Sequence, residues 1–432
     1  MYGSAITILI AFGGAAVGLF RPYIGFLAYV CLGLLGAEDL WGHALPSLSY
    51  SKVIAGGMLL GWAFHGFGSW RFGKAWGIVL ALLGLMLWAT LSAAAARNED
   101  AAWAFIDDQS KIVLPFLVGI TTLDSTAKLK QLVWTIVLTQ GLVAFEMNLS
   151  YFQGFNRVQE LGFRGMDNNT FAISMTTCAG MTFFLGLTAE KWWQKLLALG
   201  IGLLILHVIL MSFSRGAMLG LIVTTGVAFV LIPKRPWYYL VLLAALLIGV
   251  RLAGPEVQAR LKSTFADDAN RDGSAQSRID LWQDCLDSMA KNPLLGLGPR
   301  HWPLVAHEYG WPRGKEAHST WMQTGAELGI VGLAWLVLFY VLCFAQLSAL
   351  ILSRREIEPV HRDLARQVIA ALAGFLVSAQ FVSAISLDVP YFMVMIGAGI
   401  LKLTSQPMRD RTAFVRVAPG LASRFPCVAQ PT

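Results

Sequence analysis

Long apolar runs separated by short polar breaks make up almost the whole chain. The runs do not alternate apolar with polar residues, so they read as helices rather than strands. Runs approaching the roughly 20 apolar residues of a bilayer crossing lie at Ser4–Phe20, Pro22–Leu35, Ser51–Phe67, Ala75–Ala95, Phe105–Leu123, Leu129–Tyr151, Thr170–Leu187, Trp193–Met211, Gly216–Ile232, Trp237–Leu252, Thr320–Leu352, Leu364–Ile385 and Tyr391–Leu403. The first two share only Arg21-Pro22 as a turn, which reads as a short hairpin or as a pair of half-helices. The pattern predicts an all-α polytopic membrane protein, a bundle of about twelve (twelve or thirteen) transmembrane helices. One long polar interruption, Gly254 to Ala317, sits between apolar flanks that hold it against one end of the bundle.

Composition agrees. The 432 residues are 56% hydrophobic and 14% charged, against roughly 45–50% and 25% in soluble domains. A net charge of +7 would suit nucleic acid, but its distribution speaks for topology. Arg71 and Lys74, Lys128 and Lys130, Lys191 and Lys195, Lys234 and Arg235, and Arg354, Arg355, Arg362 and Arg366 fall in short loops on one side, which the positive-inside rule makes cytoplasmic. The alternate loops are poor in Lys and Arg: 37–50 has none, and 97–111 carries Glu99, Asp100, Asp107 and Asp108. Alternation puts these, the residues around 160–169, the Ser212–Arg215 junction, the long loop and the Ser386–Pro390 turn outside, the periplasm in a bacterium. The expected organisation is 1–253 as an N-terminal transmembrane bundle, 254–317 as a periplasmic loop, 318–405 as C-terminal helices and 406–432 as a disordered cytoplasmic tail. The five cysteines, Cys31, Cys178, Cys285, Cys343 and Cys427, give no disulfide framework. The first residues lack a basic stretch before the apolar run and read as a retained helix.

Within the long loop, "SAQSRIDLWQDCLDSMAKNPLLGLG" reads as a soluble helix. Ser277 is a suitable N-cap, Ile279, Trp282, Leu286 and Met289 form an apolar stripe meant for the bundle's outer surface, and Asn292-Pro293 stops it. A Gly/Pro turn with Arg300 and His301 follows.

Candidate chemistry gathers on the outward side. Arg215, in "MSFSRGAML", is a cation where the positive-inside rule disfavours one, and Ser214 as N-cap puts it in a first helical turn whose dipole also disfavours it. Two penalties at one position point to a bound anion. Arg278 opens the loop helix, Arg164 lies between glycines in "GFRGMDNNT", and His318 begins the long span at "EAHSTW". Asp388 is the sole charge of the last outward turn. Glu327, an expensive intramembrane carboxylate, reads as a partner of buried polar groups. His301 and His307 show no recognisable metal-ligand spacing with His318, and no D-x-D pair is present. Metal and cofactor are therefore expected to be absent. Several arginines and a histidine at an outer membrane face suit a lipid-linked diphosphate: guanidinium forks match phosphate oxygens and stay charged, while His318 takes a proton from an acceptor hydroxyl. Arg164, Arg300, His301 and Asp388 are candidates for binding the diphosphate or the acceptor.

"SFSRGAMLGL", then "SRIDLWQDCLDSMAKNPLLGLGP", then "HSTWMQTGAELGIVGL" together resemble the O-antigen ligase and polymerase superfamily; "GMDNNT" and the opening "RPYIGFLAYV…LWGHALPSLSY" resemble its exosortase-associated O-glycosylation ligases. The resemblance implies a multi-pass protein of the bacterial inner membrane with its site facing the periplasm. It implies metal-independent, inverting glycosyl transfer from an undecaprenyl-diphosphate-linked glycan onto lipid A-core oligosaccharide. Arg215 and Arg278 would then grip the diphosphate and His318 would activate the acceptor, with membrane lipids but no nucleic acid as further partners. Twelve helices are usual in such ligases, one fewer than the spans counted here. An O-antigen polymerase, a protein O-oligosaccharyltransferase and, in a different class, a lipid-linked sugar transporter remain open at this point.

Overall fold

Each apolar run folds as a helix in the computed structural model, which describes residues 2–42, 45, 46, 48–232, 234–252, 273–354 and 356–405. In chain order the helices are α1 (Tyr2–Phe20), α2 (Pro22–Leu35), α3 (Ala37–Trp41), α4 (Tyr50–Phe64), α5 (Trp76–Ala94), α6 (Glu99–Thr122), α7 (Thr126–Phe152), α8 (Arg157–Leu161) and α9 (Asn168–Thr188). They continue with α10 (Trp192–Met211), α11 (Arg215–Leu231), α12 (Pro236–Leu252), α13 (Gly273–Lys291), α14 (Trp302–Val305), α15 (Thr320–Leu352), α16 (Pro359–Ser378) and α17 (Asp388–Ser405). Seven apolar segments are long enough to cross a membrane by length and composition, and α2 and α11 are shorter apolar helices. Among the described residues the only β-structure is a single bridge, Phe163 to Met166. The expected tail and the first part of the loop, 254–272, lie outside the described residues, as does Cys427; the other four cysteines are unbridged.

The opening pair is a true hairpin of two helices. Its Arg21-Pro22 turn works because Pro fits the first position of a helix and starts α2 there. The pair packs on α4 with almost no side chain between: a Cβ on Gly57 or Gly61 would come within 2.2 Å or 2.1 Å of the backbone oxygens of Ala15 or Gly18. Small residues let helix backbones approach where no water drives association.

Long-range bonds sort the helix ends into two groups, as the loop charges predict. On one face Tyr23 Oη donates to Lys128 O, Ser69 N–H to Thr121 O (2.9 Å), Lys402 Nζ to Ile120 O (2.6 Å), and Lys130 pairs with Glu190 (2.5 Å). On the other Asn156 Nδ2 donates to Met211 O (2.8 Å), Asn168 Nδ2 to Ser212 O (2.9 Å) and Asn98 N–H to His301 Nε2 (2.9 Å). The second face carries the loop. Over it open the N-termini of α9, α11, α15 and α17, and α9 is the most enclosed of the seven long apolar helices among the described residues.

Three departures from the sequence pattern shape that face. First, α15 is broken: Gly329 has φ 70° and ψ −176°, a combination open in practice to glycine alone. The loop's Asn292–Gly298 turn fills the gap with backbone. Leu297 N–H donates to Ala326 O, Gly298 N–H to Glu327 O and Ile330 N–H to Pro293 O, each 2.9 Å. Trp88 Nε1 donates to Leu328 O (3.1 Å) and Ser92 Oγ to Leu295 O (2.6 Å). Irregular backbone at this depth is tolerated because other protein groups satisfy it.

Second, α13 starts at Gly273, ahead of the expected Ser277 cap, and its buried face is Leu281, Cys285 and Ser288. Ile279 and Leu286 of the expected stripe are exposed. The correction has a physical cause: the helix packs on the head of α15 and on the loop's own residues at once, so its inward side is set by a small core with Trp302, Val305, Ala306, Ala317 and Ala326, while Trp282 and Met289 of the stripe are half-buried. Third, α16 stops at Ser378 and a short turn follows, because the backbone at Val382 and Ala384 bonds instead to the Thr320 hydroxyl at the head of α15 (2.8 and 3.0 Å).

Candidate functional site

Arg215 is the first residue of α11, and the Ser214 side chain caps that helix by accepting from Ala217 N–H. The segment that carries Asp167 is tied to this junction, since Asn168 bonds Ser212 O just ahead of it. Asp167 itself caps α9 through Thr170 N–H (2.8 Å). Arg278 lies one turn before Trp282 on α13, and Trp282 Nε1 donates to Ala317 O (3.0 Å), the residue before His318. His318 takes a left-handed backbone, φ 49°, immediately ahead of Ser319, whose hydroxyl caps α15 by accepting from Met322 N–H.

Electrostatics join these elements. Burial, and after it the charge of Arg215, holds the Arg278 guanidinium below its usual value, with Asp167 opposing. Burial first, then Lys315 and Arg278, holds the His318 imidazole below its ordinary 6.5, and Asp167 again pulls the other way. Arg278 on α13 thus lies within electrostatic reach of Arg215, His318 and Asp167, which stand at the positive ends of α11, α15 and α9. Two guanidinium groups that repel each other beside helix N-termini have the charge and donor geometry that suit a multiply charged anion. The neutral imidazole is a base at moderate pH.

Arg164 and Asp388 also meet, at 2.8 Å and with about a quarter of each side chain exposed (28% and 23%). Arg164 and Gly165 both have positive φ (54° and 70°), and mutual backbone bonds between Phe163 and Met166 (3.0 and 2.9 Å) close a tight turn. That turn presents Arg164 to Asp388, while the Asp39 carboxylate accepts from its N–H. A cavity of about 290 Å³ opens beside it, lined by Gly36, Glu38, Asp39, Tyr50 and Ser51.

Arg300 and His301 have other partners. Arg300 pairs with Asp108 on α6 (2.5 Å) and gives its backbone N–H to Glu327 (2.9 Å). His301 is buried, with one ring nitrogen accepting from Asn98 N–H (2.9 Å) and the other facing Pro299 O (2.8 Å). These two fasten the loop to α6, and Arg300 N–H links it also to Glu327. Glu327 accepts from Arg300 N–H, Trp302 N–H (3.2 Å) and the Gln323 amide (3.0 Å), the partner-of-buried-polar-groups role expected of it. Among the described residues no group of three His, Cys, Asp or Glu side chains is placed to hold a metal ion.

Sequence reasoning passed over Asp167, Asp39 and Gln323. Asp167 stood in the quoted "GMDNNT" segment, where a helix-capping pattern was its one signal; Asp39 and Gln323 gain their roles from partners far away in sequence.

Residues 200–337 match the family model described as O-antigen ligase. Residues 4–154 match a family of unknown function (DUF5935). No curated protein is a significant match. The first match supports the O-antigen ligase superfamily, and with it a ligase-type, glycosyltransferase-like activity on lipid-linked glycan in a membrane-spanning protein. It encloses Arg215, Arg278, Arg300, His301 and His318; Arg164 lies between the two matches and Asp388 beyond both.

Proposed function

We propose that this protein is an O-antigen ligase that transfers a glycan from undecaprenyl diphosphate to lipid A-core oligosaccharide on the loop-bearing face, without a metal and with inversion. The observation that carries this reading is the electrostatic reach of Arg278 on α13 to both Arg215 at the head of α11 and His318 just ahead of α15. The opposite face bears Lys128, Lys130 and Glu190 among its bonded groups, and its excess of lysines in short loops supports a cytoplasmic assignment. The loop face is then periplasmic, in a bacterial inner membrane.

The acceptor hydroxyl attacks the anomeric carbon from the side opposite the diphosphate. Neutral His318 takes the hydroxyl proton, the new C–O bond forms, and the bond to the leaving phosphate oxygen breaks with its electron pair. Arg215 and Arg278 stabilise the charge that develops on that oxygen, and single displacement inverts the centre. Arg164 and Asp388, beside the cavity, serve the acceptor or the outer part of the glycan.

Donor binding separates the roles. Arg215→Ala and Arg278→Ala should weaken binding of the lipid-linked donor at least tenfold, whereas His318→Ala binds it normally and transfers nothing. Equal donor binding by all three variants would sink this division of labour.

A further inference from the structure

We infer that Gln323 is a positioning residue that sets the direction of the His318 imidazole, an inference that rests on the reading of His318 given above. Gln323 lies in the first turn of α15, and every polar atom of its side chain has a partner. Its Oε1 accepts from Ala317 N–H (3.1 Å) and from the Ser383 hydroxyl (2.5 Å). Its Nε2 donates to Glu327 Oε1 (3.0 Å).

The amide can point only one way. Glu327 accepts from the backbone N–H groups of Arg300 and Trp302 and from Gln323. The Ala317 N–H can only donate, so it requires the oxygen end of the Gln323 amide, which leaves the nitrogen end for Glu327 Oε1. Ala317 is held from the other side too, because its carbonyl accepts from Trp282 Nε1 (3.0 Å). The residue before His318 is therefore clamped at both its N–H and its C=O, and the residue after it, Ser319, is fixed as the cap of α15.

This clamping explains how a non-glycine residue keeps φ 49° at position 318. A left-handed conformation persists in such a residue only where the surroundings over-determine it. The chain of bonds runs from the loop backbone at Arg300 and Trp302, through Glu327 and Gln323, to Ala317 and so to His318. Docking of the loop turn into the break of α15 is thereby coupled to the aim of the imidazole. Ser383, from the segment after α16, adds a third element to the same oxygen.

The test uses the purified full-length protein and measures kcat and KM for transfer from a lipid-diphosphate-linked glycan. Gln323→Leu removes the acceptor for Ala317 N–H; kcat should fall at least tenfold, since misplacement of a reacting group by about 1 Å costs on the order of a hundredfold. KM for the donor should stay within twofold, because the arginines are untouched. Gln323→Glu keeps an acceptor oxygen for Ala317, with one proton shared against Glu327, and should recover kcat to within threefold of the parent. Trp282→Phe keeps the ring but frees the Ala317 carbonyl, and should show a smaller loss in kcat with the same unchanged KM. It decides the matter if Gln323→Leu does not fold. A folded Gln323→Leu or Trp282→Phe with kcat within twofold of the parent overturns the inference, as does a loss confined to KM. His318→Ala that still transfers overturns instead the reading of His318 on which the inference stands.

Discussion

Replacing Gly329 by alanine strikes the point where the loop enters the broken helix. The backbone there has φ 70° and ψ −176°, a region that costs about 1–3 kcal/mol for a residue with a Cβ. The added carbon would lie 2.1 Å from Leu294 O and 2.6 Å from Leu294 C. Both are backbone atoms and cannot swing aside as a side chain would, so the turn must withdraw. Withdrawal breaks the bonds from Leu297 N–H, Gly298 N–H and Ile330 N–H, each 2.9 Å, at about 0.5–1.5 kcal/mol apiece. The sum is about 2.5–7.5 kcal/mol, concentrated on the loop rather than spread over the bundle. Limited proteolysis of detergent-purified protein should then cut the 273–317 region at least fiftyfold faster at unchanged helix content, and transfer should be lost with it. Gly200→Ala is the control, because a Cβ there meets nothing and alanine suits a helix better by roughly 0.5–1 kcal/mol. A Gly329→Ala protein with parental protease resistance would refute the claim that the loop is anchored in the break.

The pH dependence of kcat/KM, which reports the free enzyme, follows from His318, whose pKa is held below its ordinary 6.5. A lowered pKa keeps the imidazole neutral further into acid, so the acid limb should fall below pH 6.5; Lys315→Gln removes a depressing charge and should move it up, Asp167→Asn should move it down, and shifts of opposite sign would reject the assignment. The Arg164–Asp388 pair, partly exposed at 28% and 23%, should show a coupling of about 1 kcal/mol in a double-mutant cycle of thermal unfolding; additivity within about 0.3 kcal/mol would mean that the pair adds nothing.

Much of the fold was legible because hydrophobic runs in a membrane have few alternatives. The hairpin at Arg21-Pro22, the Ser214 cap and the stop at Asn292-Pro293 all follow from local chemistry that lipid or packing does not override. The two-faced sorting of loops by charge agrees with the bonds from Tyr23 to Lys128 and from Asn168 to Ser212. What hydropathy could not convey is the break at Gly329, since glycine among apolar neighbours does not interrupt a run. The loop helix was rotated from expectation for a related reason: Cys285 is weakly apolar by type but faces a core supplied by Trp302 and Ala317, which lie close only after folding. Among the candidate site residues, Arg215 stands out in the sequence by its unfavourable location, whereas Arg278 and His318 are candidates only through their place in and beneath the outward loop and through the family resemblance. Their supports could not, because Asp167 acts across helices and Gln323 reads as an ordinary polar residue in a first turn until Ser383 and Glu327 are brought beside it.

The most direct test of the central claim is transfer by purified protein of a lipid-diphosphate-linked glycan onto lipid A-core oligosaccharide, read as a gel shift with and without EDTA. A shift that survives EDTA and disappears in His318→Ala is the expected result. Elongation of the glycan while it stays on its lipid carrier would make the protein a polymerase and contradict the ligase assignment; movement of labelled lipid across vesicles with no covalent product would contradict the enzyme assignment itself.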